Sequence, residues 1–233
     1  MTSSDDVSLT RLEPGCDAPS VEVPCAAFRA EPFVPLTSDR RPLSEKLLWL
    51  RALVTAPRTI ASIAPSSQAL ADAVVSRLDL GDSPHVLELG PGTGALTRAL
   101  LRRGLNPGRY VGIEVRAELV EGLRTAFPDL SFVHGSALGL SELLRAADVE
   151  PTRVVASLPW SILSRVDRKA CLEAAAQAIG PAGQLVTYSY VSGGIFLPAR
   201  RLDREFPRVF DDVETHGVVW RNLPPAMVWS CRR

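Results

Sequence analysis

The chain has 233 residues, 46% of them hydrophobic, a size that supports one sizeable core and argues against a second full domain. Its formal net charge at pH 7 is zero, whereas a nucleic-acid-binding protein would be expected to carry a basic excess. The cysteines show no C-x-x-C or His/Cys ligand spacing, and neither a membrane span nor a signal peptide is recognisable, so we expect a cytoplasmic protein with no metal site.

The N-terminal residues 1–42 are predicted to form an irregular arm. They carry prolines at short intervals and an acidic bias, and they show no sustained hydrophobic period. We therefore predict a single domain over residues 43–233, with helices in 43–80 and an α/β core in 84–233.

Two helices are predicted ahead of the core. Ser44 can cap the first, whose apolar stripe covers residues 43–54. Basic residues lie close to this stripe, so the helix can either rest on an anionic membrane surface or pack over the sheet or the active site. The second helix starts after Ser67 and is predicted to end at Gly81.

A strand, a glycine loop and a helix follow one another over residues 85–101. Residues 85–89 are rich in β-formers, residues 90–94 read Gly-Pro-Gly-Thr-Gly, and apolar residues then recur at helical spacing. Glycines let the backbone approach a ligand closely, and the new helix points its free N–H groups at that ligand. This pattern predicts a nucleotide-like ligand. The loop also fits the dinucleotide fingerprint G-x-G-x-x-A, so a nicotinamide or flavin cofactor stays open on the loop alone.

Glu88 favours a different cofactor. A carboxylate two residues before the first glycine lies where a pyrophosphate would approach, whereas a sulfonium ligand with an amino acid tail tolerates negative charge. The run from Glu88 through Gly90, Gly92, Thr93 and Gly94 resembles the E/DxGxGxG motif of class I S-adenosylmethionine-dependent methyltransferases. The resemblance implies that these residues bind S-adenosylmethionine, with the glycines close to its amino acid portion.

The segment upstream of the glycine motif narrows the resemblance. Its Pro-Arg pair at 57–58 and its Pro-Ser-Ser run at 65–67 are similar to the lead-in of bacterial phospholipid N-methyltransferases and their small-molecule relatives. Those enzymes are themselves similar to the rRNA adenine dimethyltransferases. The resemblance implies that Ser66 lies beside the methionine end of the cofactor, while the alternative is that Ser66 and Ser67 only cap a helix.

The next two strand ends are predicted to hold the nucleoside. Glu114 ends an apolar run 24 residues after the first glycine of the loop, an offset at which an acid can accept hydrogen bonds from both ribose hydroxyls. Val115 follows it and is included in the predicted cofactor site. A third strand is expected over residues 131–134, and the resemblance implies that adenine lies near Ser136 and Ala137. The family usually has Asp at the first of these two positions.

The strand over residues 153–157 leads to the segment Ser-Leu-Pro-Trp at the carboxyl edge of the sheet, where α/β sites are found. This segment resembles the NLPY or NPPY segment of amine-directed methyltransferases, with Ser157 in place of Asn or Asp. The resemblance implies that Ser157 and Leu158 position the target nitrogen, that Ser157 also lies by the cofactor, and that Trp160 walls the methyl-transfer channel. An indole ring can also stabilise a cationic amine. The alternative for Trp160 is core packing.

The C-terminal part predicts a helix over 167–179, a strand over 183–190 and a closing β-hairpin around residues 221–225. Tyr188 and Tyr190 fall on one face of that strand. The alternation of short strands and helical periods predicts a Rossmann-like α/β fold, with a seven-stranded, mostly parallel sheet, an antiparallel last strand and helices on both faces.

These observations predict an S-adenosylmethionine-dependent methyltransferase acting on an amine. A phospholipid head group similar to phosphatidylethanolamine is the favoured acceptor, with peripheral contact to the inner face of the membrane through residues 43–54. A soluble small molecule of a biosynthetic pathway and a non-enzymatic S-adenosylmethionine-binding partner protein are the alternatives. RNA is the weakest candidate, because the sequence has no basic patch. Methyl transfer from a sulfonium requires no metal.

Overall fold

The computed structural model describes residues 67–147, 149–161, 163–191, 197–222 and 224–233. The predicted arm over residues 1–42, the helix over 43–54 and the cofactor contact of Ser66 lie outside these residues.

The described residues form helices and strands in alternation. The helices are α1 (Gln68–Val75), α2 (Ala95–Arg102), α3 (Ala117–Ala126), α4 (Leu140–Ala147), α5 (Arg165–Ile179) and α6 (Leu197–Glu205). The strands are β1 (Val86–Leu89), β2 (Tyr110–Glu114), β3 (Ser131–His134), β4 (Arg153–Ala156), β5 (Gln184–Tyr190), β6 (Asp212–Val219) and β7 (Ala226–Arg232).

All seven strands belong to one sheet, in the order β3-β2-β1-β4-β5-β7-β6. The pairs from β3 across to β5 are parallel, whereas β7 is antiparallel to both β5 and β6. This confirms the predicted seven-stranded, mostly parallel sheet with an antiparallel last strand. The closing hairpin is formed by β6 and β7.

Helices cover both faces of the sheet, as predicted. Side chains of α1, α2 and α3 form the first core layer, which includes Leu70, Leu100 and Leu123. Side chains of α4, α5 and α6 form the second layer on the opposite face, which includes Leu172 and Leu202. Each face therefore has its own apolar core.

Three helices differ from the sequence-based expectation. Helix α1 ends at Val75, well before Gly81, because the N–H groups of Arg77 and Leu78 bond three residues back and tighten the chain into a turn. Helices α4 and α6 are two elements that the sequence does not predict. None of the helices in the described residues is long and apolar enough to cross a membrane.

The parallel strands bring several connections to one edge of the sheet. The N–H of Gly90 donates to Ile113 O at 2.9 Å, and the N–H of Ser157 donates to Leu89 O at 2.8 Å. The residues that leave β1 and β4 are therefore neighbours at the carboxyl ends of the strands, where ligands bind in open α/β sheets.

Candidate functional site

The glycine loop combines tight packing with one open position. Gly90, Gly92 and Gly94 all have positive φ angles, of 73°, 59° and 80°. A Cβ atom on Gly90 would lie 3.2 Å from Ser157 O, and one on Gly94 would lie 2.6 Å from a ring carbon of Phe127. Beside Gly92 the nearest atom would be 3.9 Å away. Packing within the protein therefore explains two of the glycines, while the described residues leave the space beside Gly92 open to a ligand.

The Glu114 carboxylate lies directly against this loop. It is buried, its Oε2 accepts a hydrogen bond from the Gly92 N–H at 3.0 Å, and its Oε1 accepts one from the Arg116 N–H at 3.1 Å. Each carboxylate oxygen has a further lone pair. A pair of neighbouring hydroxyls next to the loop would find acceptors here.

The ends of β2 and β3 form the adjoining part of the site. The Gly135 N–H donates to Glu114 O at 2.9 Å, which holds the two strand ends together. Ser136 caps the short turn that follows and accepts a hydrogen bond from the Leu138 N–H at 3.2 Å, and Ala137 lies in that turn. Val115 and Leu138 are both exposed large apolar side chains. Apolar surface with a few polar groups at this edge suits a flat heterocyclic ring.

Glu88 lies beneath the glycine loop. Its side chain is 0% exposed, and its Oε2 accepts hydrogen bonds from the Tyr110 hydroxyl at 2.7 Å and the Thr97 hydroxyl at 2.8 Å. Within the part of the chain that the structure describes, its Oε1 has no hydrogen-bond partner. Burial raises the pKa of Glu88 to about 7, although the two hydroxyl donors act in the opposite direction.

Ser157 belongs to a pair of hydroxyl groups at the end of β4. Its Oγ lies 2.8 Å from the hydroxyl of Tyr188 on the neighbouring strand β5. Its backbone carbonyl borders Gly90, and a methyl carbon of Leu158 lies beside the same glycine. The structure therefore places Ser157 and Leu158 against the glycine loop.

Trp160 is a core residue in this structure. It is 2% exposed and belongs to the second core layer. Its indole N–H donates to the Thr187 hydroxyl at 2.7 Å, and that hydroxyl donates to Ala156 O at 2.7 Å. The ring that we expected to wall a channel is therefore turned into the protein, where Thr187 satisfies its only polar group.

Two further residues shape this edge without a marked pattern in the sequence. The sequence predicts only that Tyr188 shares a face with Tyr190, whereas the alignment of β4 with β5 places Tyr188 beside Ser157. Arg168 is buried, and it donates to both Glu205 carboxylate oxygens and to the backbone carbonyls of Trp160 and Leu163. It thereby fixes the segment that follows Ser157 to α6. Arg168 is a charged residue on the apolar face of a helix, and this position is the sequence signal of a structural role.

The fold resembles that of the glycopeptide N-methyltransferase MtfA, whose solved structure is a complex with S-adenosylmethionine. The TM-score is 0.55 at 15% identity, over 76% of this chain and 99% of the other. Residues 86–183 match the methyltransferase domain family. The central part of the chain is therefore similar to a methyltransferase domain. These likenesses support the S-adenosylmethionine-dependent methyltransferase predicted from the sequence.

Two relatives of known description are similar to this chain. It is 35% identical over 107 residues to the ribosomal RNA small subunit methyltransferase A of Dehalococcoides mccartyi, and this match covers 44% of the chain and 35% of the relative. It is 28% identical over 177 residues to the ornithine lipid N-methyltransferase of Singulisphaera acidiphila, which covers 74% of the chain and 88% of the relative. The matched region thus spans about a third of the ribosomal RNA relative but most of the lipid relative.

Proposed function

We propose that this protein transfers a methyl group from S-adenosylmethionine to the amine of a phospholipid head group. The observation that carries the proposal is the position of the exposed apolar side chains. Among the described residues, the exposed large hydrophobic residues all lie at the edge of the sheet that holds the glycine loop: Val115 and Leu138 on the cofactor side, and Val166 and Trp220 on the acceptor side. The last two carry the proposal.

The residues on the cofactor side fit S-adenosylmethionine. The open space beside Gly92 admits the amino acid portion, and Thr93 follows Gly92 in the same loop. Glu88 is fully buried and supports the loop from the core. Glu114 offers free lone pairs to the ribose hydroxyls. Val115 with the turn after β3, which contains Ser136, Ala137 and Leu138, offers a surface for adenine.

The chain's own contribution to the reaction is positioning. When bound, S-adenosylmethionine supplies a sulfonium methyl group to a nucleophile in line with the breaking bond. The Ser157 carbonyl and hydroxyl can accept hydrogen bonds from an amine and so direct its lone pair. Arg168 holds the backbone of the following segment in place, since it bonds to carbonyls at both Trp160 and Leu163.

Two exposed hydrophobic residues lie on the acceptor side, and each adjoins an exposed arginine. Val166 is 76% exposed at the start of α5, next to Arg165. Trp220 is 72% exposed at the end of β6, next to Arg221. Val166 lies at the carboxyl edge, because α5 starts after the segment that leaves β4. Trp220 lies at the same edge, because Val219, the end of β6, and Tyr190, the end of β5, pair with the same residue of β7.

An apolar side chain beside an arginine suits the surface of an anionic bilayer. The apolar group enters the boundary between head groups and acyl chains, and the guanidinium pairs with lipid phosphate. A soluble amine would give no reason for such pairs to surround the acceptor side. The similarity to an ornithine lipid N-methyltransferase over 88% of that relative supports a lipid amine as the acceptor.

The test combines vesicle sedimentation with transfer of labelled methyl groups to phosphatidylethanolamine. We expect the protein to sediment with vesicles of phosphatidylethanolamine and phosphatidylglycerol and to label the former. Trp220→Ser with Arg221→Ala should weaken both. Arg109→Ala is the matched control, since Arg109 precedes β2 at the opposite edge of the sheet.

A protein that binds S-adenosylhomocysteine but neither sediments with these vesicles nor labels the lipid would contradict the lipid acceptor. The acceptor would then be sought among soluble amines. Absence of methyl transfer to either class would favour the non-enzymatic alternative.

A further inference from the structure

The hydroxyls of Ser157 and Tyr188 meet because of the sheet register. Ala156 of β4 is paired with Thr187 of β5, so the next residue on each strand lies on the same face, side by side. The two oxygen atoms are 2.8 Å apart. Tyr188 is buried and Ser157 is half-buried, so the pair is set into the protein with the serine nearer the surface.

The direction of this hydrogen bond follows from acidity. A phenol has an ordinary pKa near 10, and an aliphatic alcohol is a much weaker acid, so the phenol is the better donor. With Tyr188 as donor, Ser157 Oγ uses one lone pair for the phenol and keeps a second lone pair. That lone pair can accept a hydrogen bond from an amine N–H beside the glycine loop.

We propose that Tyr188 is a positioning residue for the acceptor amine and acts through Ser157. This inference rests on the proposed transfer of a methyl group to an amine. The short serine side chain has one orientable oxygen, and the hydrogen bond from the buried tyrosine fixes its direction. The amine nitrogen then forms a bond to the methyl carbon as the C–S bond breaks, the sulfonium becomes a thioether, and the methylated ammonium releases a proton to water.

The experiment uses two ligands that differ only at the reacting position. S-adenosylhomocysteine lacks the methyl group, and sinefungin has an amine-bearing carbon in place of the sulfonium and its methyl. The ratio of their dissociation constants, measured by calorimetry on the full chain, reports on the polar groups that face the acceptor. It requires no knowledge of the natural acceptor.

The variants are Tyr188→Phe, Ser157→Ala and the double variant. Each single variant should weaken the binding of sinefungin, relative to that of S-adenosylhomocysteine, by about tenfold. This is the size of one hydrogen bond to a charged group. The double variant should lose no more relative affinity for sinefungin than either single variant, because the two hydroxyls act as one unit. With phosphatidylethanolamine as acceptor, the same variants should raise KM more than they lower kcat.

Tyr190→Phe is the matched control, since Tyr190 lies on the same face of β5 with its ring centroid 5.6 Å from that of Tyr188. It should leave the ratio unchanged. An unchanged ratio in Tyr188→Phe and Ser157→Ala, or losses that multiply in the double variant, would overturn the proposal. If Tyr188→Phe does not fold, Ser157→Ala still tests the proposal, because an unchanged ratio after this truncation at a half-buried site would overturn it. A wild-type chain that binds neither ligand would instead overturn the proposed function, and the pair's role with it.

Discussion

The Glu88 carboxylate accepts a hydrogen bond 2.7 Å long from the Tyr110 hydroxyl, and both side chains are buried between the sheet and α2. The two residues come from adjacent strands, since β1 and β2 are paired in parallel. The acid of the motif is therefore joined to the core beneath the loop, and its protonation is linked to folding.

Glu88→Gln should change how the free energy of unfolding depends on pH. The pKa of Glu88 in the folded protein is about 7, above its ordinary value of 4.5, so the folded state holds a proton between these two values. The contribution of this residue to stability is therefore greatest below pH 4.5 and is lost as pH rises through 7. Glutamine carries no charge at either pH. The free energy of unfolding of the variant, relative to that of wild type, should therefore rise by up to about 3 kcal/mol between pH 5 and pH 8. Urea unfolding at both pH values measures this difference.

Glu173→Gln serves as the control for that experiment, because Glu173 is a half-exposed residue of α5. Parallel stability curves for Glu88→Gln and wild type across this pH range would show that the buried carboxyl does not take up the proton.

Gly94→Ala should mainly lower stability, whereas Gly92→Ala should mainly lower the affinity for the ligand. An alanine Cβ at 94 would lie 2.6 Å from the Phe127 ring, so we expect Gly94→Ala to lower the free energy of unfolding by about 3 kcal/mol. At Gly92 the Cβ would enter open space, and the cost in stability should be only about 1 kcal/mol, from the positive φ. Gly92→Ala should instead weaken S-adenosylhomocysteine binding by at least about tenfold, equivalent to about 1.4 kcal/mol. Thermal unfolding and calorimetry separate the two, and equal effects of both variants on affinity would argue against the open position as the ligand's place.

Glu114→Ala should weaken S-adenosylhomocysteine binding by more than tenfold, because hydrogen bonds to a charged acceptor contribute about 1.5–3 kcal/mol each. It also removes the acceptor for the Gly92 N–H, so the loop itself is affected. The comparison with an analogue that lacks the ribose hydroxyls isolates the ribose contact. If Glu114 binds the ribose, wild type should discriminate against that analogue, and the variant should not.

The two tryptophans Trp160 and Trp220 provide a matched test of the core assignment. Trp160→Ala should lower the free energy of unfolding by about 3–5 kcal/mol, because it leaves a cavity and removes the donor to Thr187. Trp220→Ala should change it by less than about 0.5 kcal/mol, since its ring is exposed. Chemical denaturation gives both values. A stable Trp160→Ala variant with reduced turnover would restore the channel role that the sequence first implied.

The sheet could be predicted because its strands are short runs of β-formers ended by glycine, proline or polar residues. The predicted third strand has the same bounds as β3, Ser131–His134. Helix α4 has a usable signal in Leu140, Leu143 and Leu144, which recur at helical spacing, whereas the sequence of α6 is largely polar.

The candidate site could be predicted only in part. The glycine loop and the acids near it are contiguous motifs, so their residues stand out in the chain. The position of Trp160 depends on Thr187, and that of Ser157 depends on Tyr188, which lies 31 residues later. Such pairs follow from strand register, and no local pattern contains them.

The strand order also sets the order in which the sheet can be completed. Although β7 is the last strand in the chain, it lies between β5 and β6 and supplies Val228 to one core layer and Trp229 to the other. Strand β6 therefore has no place in the sheet until the residues after it have paired with β5. Folding can therefore add β6 to the sheet only together with β7 or after it, and the unpaired strand edges stay open to mispairing until then.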